Sequence, residues 1–129
     1  MSSELHYLIM IAAFTALMWI PYILNRIAVS GMTEAVGYPE HPKPLAAWAA
    51  RLKSAHSNAI ENLAVFATLV IAANLAGVSN DATVAASAIY FWARVAHALV
   101  YALGIPYLRT LAFAVGWVAT LTFAWQLLA

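Results

Sequence analysis

The sequence lacks cysteine altogether and has few charged residues. Of its 129 residues, 9% are charged and 65% are hydrophobic, whereas a soluble domain carries about 25% charged residues. The absence of cysteine excludes disulfides, thiolate metal sites and a cysteine nucleophile, so any thiol chemistry needs a thiol carried by a ligand. A net charge of +1 with no dense basic run excludes the electrostatic footprint of a nucleic-acid-binding protein. A chain this small and apolar cannot hide its hydrophobic surface in its own core, so we expect lipid around it.

Four segments are long and apolar enough to cross a bilayer, whose hydrocarbon core takes about 20 residues per helix. We expect spans at about 5–27, 46–76, 82–103 and 107–128. A loop over 30–45, rich in glycine and proline, is the only long connection. The start of the chain has neither the basic region nor the cleavage site of a signal peptide, so we expect the first span to be retained. The fold class predicted is all-α integral membrane, a four-transmembrane-helix bundle in one domain over residues 1–129.

The basic residues predict which way the spans face. All six lie in or beside the first and third connections: Arg26, Lys43, Arg51, Lys53, Arg94 and Arg109. Because cytoplasmic loops are enriched in Lys and Arg, both termini are expected outside and the first and third loops in the cytoplasm. The small size and the lack of targeting signals are typical of a protein of the bacterial cytoplasmic membrane.

Polar side chains form stripes in the cytoplasmic halves of three helices, at about 100° per residue. The stripe of the second helix contains Arg51, Ser54, Asn58, Glu61, Asn62 and Val65. That of the third helix contains Tyr90, Arg94, His97 and Tyr101. That of the fourth contains Arg109, Phe113, Gly116 and Thr120. Polar groups within spans normally face a bundle interior or an aqueous cavity, so the three stripes predict one shared pocket.

The charges around this pocket predict the chemistry of its ligand. Five cations border it, namely Arg26, Arg51, Lys53, Arg94 and Arg109. Only the carboxylate of Glu61 opposes them, which leaves a local excess of +4 and favours an anionic ligand with a cationic group for Glu61. A small zwitterionic peptide with more than one carboxylate fits. Two alternatives stay open. Glu61 and Arg94 could pair as a clamp between helices, and the side chains of Arg51, Lys53 and Arg109 could instead extend to the headgroups of the inner leaflet.

Two runs of sequence resemble the MAPEG family, the membrane-associated proteins in eicosanoid and glutathione metabolism. They are RLKSAHSNAIENLAVF from Arg51 to Phe66 and RVAHALVY from Arg94 to Tyr101, followed by Arg109. The resemblance extends to the length, the four spans and the long first loop. It implies a homotrimer that binds glutathione as a co-substrate between neighbouring subunits near the cytosolic side.

The resemblance also implies roles for individual residues. Asn58 and Glu61 would contact the glutathione peptide and amino group, with Arg94, His97 and Tyr101 along its other side. Arg26 would meet a glutathione carboxylate. Arg109 would stabilise the thiolate, with Thr110 and Tyr101 as hydroxyl donors; a packed helix-end aromatic is the alternative for Tyr101.

One departure from the family pattern concerns the carboxylate contacts. Ser54 stands where the family usually has an arginine, two residues before the histidine of the AHxN run. Arg51 lies one turn earlier on the same face and is the expected substitute. Ser57 likewise replaces a basic residue that some relatives carry. Weaker glutathione binding or a different ligand is the expected consequence.

The function predicted is that of a membrane-bound glutathione-dependent transferase or peroxidase. The glutathione thiolate would attack a lipophilic electrophile or hydroperoxide that enters laterally from the membrane. One alternative is a non-enzymatic membrane protein that binds a lipid headgroup or another anionic ligand. Another is a proton relay or metal site formed by Glu61, His56, His97 and Arg94, which is disfavoured because His56 lies opposite Glu61 on the second helix. No metal site is predicted.

Overall fold

The structure, a computed structural model, describes residues 1–129 and contains only helices. The helices are α1 (Ser3–Leu17), α2 (Trp19–Val36), α3 (Ala47–Ala76), α4 (Asp81–Leu103) and α5 (Pro106–Leu128). The continuous segment Ser3–Val36 and the three later helices are each long and apolar enough to cross a membrane. The predicted fold class, a bundle of four membrane-spanning helices, is therefore confirmed.

The first span is divided into α1 and α2 by a break at Met18. Pro21 has no amide hydrogen for the carbonyl of Leu17, and its ring crowds that carbonyl. The Met18 amide bonds the Thr15 carbonyl at 3.3 Å, a tighter turn than an α-helix makes. The Thr15 hydroxyl donates to the Ile11 carbonyl at 2.7 Å, and such back-bonding bends helices.

The first loop is shorter than the predicted 30–45. Helix α2 continues to Val36 across a kink at Gly31, whose φ of 80° and ψ of 160° are not helical. Glycine reaches this positive φ without steric cost, and no proline follows until residue 39, so helical hydrogen bonding resumes after the kink. The irregular connection is therefore confined to residues 37–46, which hold three of the prolines.

Tight turns join the last three helices into two antiparallel pairs. Gly77 ends α3 and Gly104 ends α4, both in the left-handed conformation, with φ of 72° and 77°. The turn after Gly77 leads into a capping box in which Asn80 and Thr83 bond each other's backbone amides. These turns set the first half of α3 beside the second half of α4, where the sequence places most of the polar residues.

Helix α4 lies at the centre of the bundle and packs against α1, α3 and α5. In the core the rings of Phe66 and Tyr90 stack in parallel, with centroids 3.6 Å apart, and Phe123 meets Phe66 edge-on at 5.6 Å. The buried face of α4 carries polar groups along its whole length: Thr83, Ser87, Tyr90, Arg94 and His97. The face of α4 that leads to the site is therefore polar and wholly enclosed by the neighbouring helices.

Candidate functional site

A polar cleft of about 240 Å³ lies between α3, α4 and α5. Its lining residues come from all three predicted stripes or directly beside them: Asn58, His97, Tyr101, Arg109, Thr110 and Phe113. The antiparallel turns bring these positions together, since the first half of α3, the last turns of α4 and the first turns of α5 lie at the same level. The cleft thus joins all three predicted catalytic residues to three of the predicted pocket residues.

Asn58 lines the cleft, and Arg94 is buried behind it. Arg94 is only 3% exposed, and its Nη2 donates to the Asn58 side-chain oxygen at 2.7 Å. Asn62 donates to the Asn58 backbone carbonyl at 2.9 Å and to the same side-chain oxygen at 3.3 Å. Because both donors use the oxygen of Asn58, its amide NH₂ stays available to a ligand in the cleft.

Arg109, Tyr101 and His97 form a stack across the cleft. The Arg109 guanidinium carbon lies 4.6 Å from the centre of the Tyr101 ring, a cation–π contact. The His97 ring meets the Tyr101 ring edge-on, with centroids 5.5 Å apart. This contact uses no hydrogen bond of the guanidinium, so the N–H groups of Arg109 are free to bond an anion.

The two edges of the predicted α3 stripe have different surroundings. Asn58 and Asn62 are half-buried against α4, whereas Ser54, Glu61 and Val65 are exposed on the protomer. The side chain that Arg94 contacts is Asn58, not Glu61. The alternative in which Glu61 and Arg94 clamp the helices together is therefore not what the protomer forms.

Arg51 is held at the end of α4. Its Nε donates to the Ala102 carbonyl at 2.9 Å, and its guanidinium lies so close to Gly104 that a Cβ there would be 3.2 Å from Cζ. This contact satisfies one of the carbonyls that a helix leaves unpaired at its C-terminus, where the helix dipole also favours a cation. The structure thus gives Arg51 a helix-capping contact, with its two terminal nitrogens still free.

Arg26 is directed into the first loop. Its Nη1 donates to the Lys43 carbonyl at 2.6 Å. It borders a separate cavity of about 320 Å³, between α2 and the loop, that shares no lining residue with the cleft. Within one protomer, the structure does not bring Arg26 to the other predicted glutathione-binding residues.

Two contacts that sequence reasoning missed attach α2 to α3 beside the site. The Tyr22 hydroxyl and His56 Nδ1 are 2.7 Å apart, and the Ala46 amide donates to the Asn25 side chain at 2.9 Å. The helical periodicity placed His56 opposite the polar stripe, which is consistent with this position, but nothing in the sequence pairs it with Tyr22. These contacts fix the start of α3, and with it the depth of Asn58.

Comparison with known protein families gives a match over nearly the whole chain. The model of the MAPEG family matches residues 7–129, which include every residue of the cleft, the last three spans and all but the first residues of the first span. No curated protein and no solved structure gives a significant match.

Proposed function

The chain belongs to the MAPEG family, and from that premise we propose that it is a glutathione-dependent transferase or peroxidase of the membrane. The observation that carries the proposal is the Arg109 guanidinium in the polar cleft, stacked on Tyr101 and beside Thr110. A cation in this setting, with a hydroxyl group on either side, is suited to stabilising a thiolate.

The partners of the two site arginines favour an anionic ligand. Arg94 bonds the neutral amide of Asn58, and Arg109 contacts the neutral ring of Tyr101. Enclosed cations are unfavourable unless an opposite charge is near, and hydrogen bonds between arginine and carboxylate are strong. Glutathione has two carboxylates and one amino group, so it supplies the anions that these arginines lack.

The protomer by itself provides only part of a ligand site, which supports a homotrimer with the site between subunits. The cleft of about 240 Å³ is below the roughly 300–1,000 Å³ of usual ligand pockets. Glu61 is exposed and lies fifteen residues before the end of α3. At a rise of 1.5 Å per residue, this is about 22 Å from that end of the helix. An ionisable side chain within a span is unfavourable when it faces lipid and normally faces a bundle interior or an aqueous cavity. A neighbouring copy would cover Glu61 and complete the site.

The residues of the cleft have distinct roles in the proposed reaction. Glutathione, when bound, would supply the sulfur that bonds an electrophilic carbon as the leaving group departs with its electron pair; with a hydroperoxide the sulfur would take the distal oxygen as the O–O bond breaks to give an alcohol, and a second glutathione would convert the sulfenic acid to a disulfide and water. To lower a thiol pKa from about 8.5 to about 6.5, Arg109 has to favour the thiolate by about 2.7 kcal/mol, within reach of a charge-assisted hydrogen bond in a site shielded from water. The Thr110 hydroxyl is 3.5 Å from the Pro106 carbonyl, a bond long enough to leave its proton for the ligand, and Tyr101 offers a second donor.

The proposed site lies near the cytoplasmic face of a bacterial inner membrane. This orientation rests on the distribution of the six basic residues around the first and third connections. A lipophilic acceptor would then reach the cleft laterally from the bilayer, while glutathione would arrive from the cytoplasm.

The proposal is tested by binding of glutathione to the purified protein in nanodiscs, measured by calorimetry and by ultraviolet absorbance of the thiolate. We expect saturable binding with a thiolate signal. Arg109→Ala should abolish that signal, whereas Lys43→Ala, which removes an exposed cation of the loop, should preserve it. Failure of the folded wild type to bind millimolar glutathione would refute the proposal.

A second candidate function is the binding of an anionic lipid headgroup without catalysis. The specific observation in its favour is that Ser54 replaces a basic residue while Arg26 and Arg51 bond backbone carbonyls, which leaves fewer free cations for two carboxylates. This function predicts that anionic lipid, and not glutathione, raises the thermal midpoint of unfolding, since a specific ligand stabilises the native state.

A further inference from the structure

Two neighbouring polar groups of α4 are buried without a partner. The Tyr90 hydroxyl and the Arg94 Nε make no hydrogen bond, although the two residues are only 1% and 3% exposed. They lie one helical turn apart on the face that packs against α3 and α5. His97 Nδ1 is also unpaired, but His97 lines the cleft, where a ligand can reach it. Tyr90 does not line the cleft, so its hydroxyl needs another explanation.

The packing of Tyr90 gives the hydroxyl no structural purpose. Its ring stacks on Phe66 within 4° of parallel, a contact that phenylalanine would make equally well. A hydroxyl buried without a hydrogen bond is unfavourable, and most so within a membrane, where lipid offers no partner. A phenylalanine would therefore serve the core better, unless the hydroxyl acts on a neighbouring group.

Arg94 is the neighbouring group that the hydroxyl can serve. A Cβ placed on Gly116 would lie 3.4 Å from Arg94 Cδ and 3.8 Å from Tyr90 Cδ2, so both side chains pack against the same point of α5. The guanidinium makes one side-chain hydrogen bond, from Nη2 to Asn58. Its Nε has no hydrogen-bond partner. This nitrogen is next to Cδ, the part of the side chain that packs beside Tyr90.

We propose that Tyr90 is a positioning residue that orients the Arg94 guanidinium through one buried water molecule. The water accepts from both the Arg94 Nε–H and the Tyr90 O–H, so each buried donor has an acceptor. The guanidinium is then bonded at two edges, and its Nη2 is held on Asn58 in the wall of the cleft. This role rests on the proposed function only insofar as Arg94 serves glutathione binding.

Tyr90→Phe tests the proposal because it removes the hydroxyl and keeps the stacked ring. We expect the dissociation constant for glutathione to rise about tenfold, because the guanidinium no longer holds Asn58 in the orientation that the ligand needs. Ser87→Ala is the matched control, since it removes another buried hydroxyl of α4 whose bond goes to the Thr83 carbonyl. The control should bind glutathione like the wild type.

A second readout needs no ligand and separates this inference from the proposed function. The ¹⁵N resonance of Arg94 Nε, assigned with Arg94→Lys, is compared among the wild type, Tyr90→Phe and Ser87→Ala in nanodiscs. We expect a shifted resonance and faster hydrogen exchange in Tyr90→Phe alone. An unchanged Arg94 signal in Tyr90→Phe would overturn the inference whether or not glutathione binds, whereas failure of the wild type to bind glutathione would refute only the proposed function.

Discussion

Gly104 tests how the arginine-rich end of α4 is held together. It has a φ of 77°, a left-handed conformation that costs a residue with a Cβ about 1–2 kcal/mol. A Cβ there would also lie 3.2 Å from Nε of Arg51, so the guanidinium would have to shift by a few tenths of an ångström, which weakens its bond to the Ala102 carbonyl. A hydrogen bond from a charged group contributes about 1.5–3 kcal/mol. We therefore expect Gly104→Ala to lower the free energy of unfolding by about 2–4 kcal/mol, the cost of the left-handed conformation plus part of this hydrogen bond.

Gly77 provides a matched control for the backbone part of this cost. It ends α3 with a φ of 72°, and a Cβ there would meet no atom within 4 Å. Gly77→Ala should therefore cost only the left-handed conformation, about 1–2 kcal/mol. The assay is reversible unfolding in mixed micelles of dodecyl maltoside and dodecyl sulfate, followed by far-ultraviolet circular dichroism. The difference between the two variants measures the contact with Arg51.

A double-mutant cycle completes this test. In an Arg51→Ala background, Gly104→Ala should cost no more than Gly77→Ala, because no guanidinium remains to be displaced. Equal costs for the two glycine substitutions in the wild type would refute the reasoning. So would a cost of Gly104→Ala that stays the same after Arg51 is removed.

The remaining predictions concern topology and the packing around the site. Because the chain has no native cysteine, His41→Cys and Ser79→Cys introduce single thiols at exposed positions of two connections. A maleimide that does not cross the membrane should label Ser79→Cys in intact cells and His41→Cys only after lysis. The opposite pattern would refute the predicted topology. Gly116→Ala places its Cβ at ordinary contact distance, 3.4 Å, from Arg94 Cδ and should keep glutathione affinity within about threefold, whereas Gly116→Val should displace Arg94 and weaken binding at least about tenfold, as measured by calorimetry. Equal affinities of the two Gly116 variants would contradict the contact with Arg94.

The helical fold could be predicted from the sequence because each span is a long apolar run between glycine or proline residues. The pairing of Asn58 with Arg94 could be predicted only in part. The α3 stripe covers about 100°, and its two edges have the same polarity, so periodicity cannot tell which edge packs against α4. The structure turns the edge with Asn58 inward and leaves Glu61 exposed.

The contacts of Arg26 and Arg51 could not be derived from helical periodicity at all. Arg26 bonds the carbonyl of Lys43, seventeen residues later, and Arg51 bonds that of Ala102, fifty-one residues later. Every residue has a backbone carbonyl, so the sequence does not show which carbonyl accepts a hydrogen bond from an arginine. An arginine that bonds a carbonyl therefore looks the same in the sequence as one that is free to bind an anionic ligand.

In the proposed trimer, these arginine contacts would divide the site between subunits. Within one protomer the cleft contains Arg109, the cation suited to stabilising a thiolate, and Asn58, which is suited to the peptide and is held from behind by Arg94. The groups expected to bind the amino group and a carboxylate, Glu61 and Arg26, lie outside it. In the proposed trimer the neighbouring copy supplies these groups, so the site depends on assembly. Dissociation into monomers should therefore abolish glutathione binding even though every residue of the cleft stays in place.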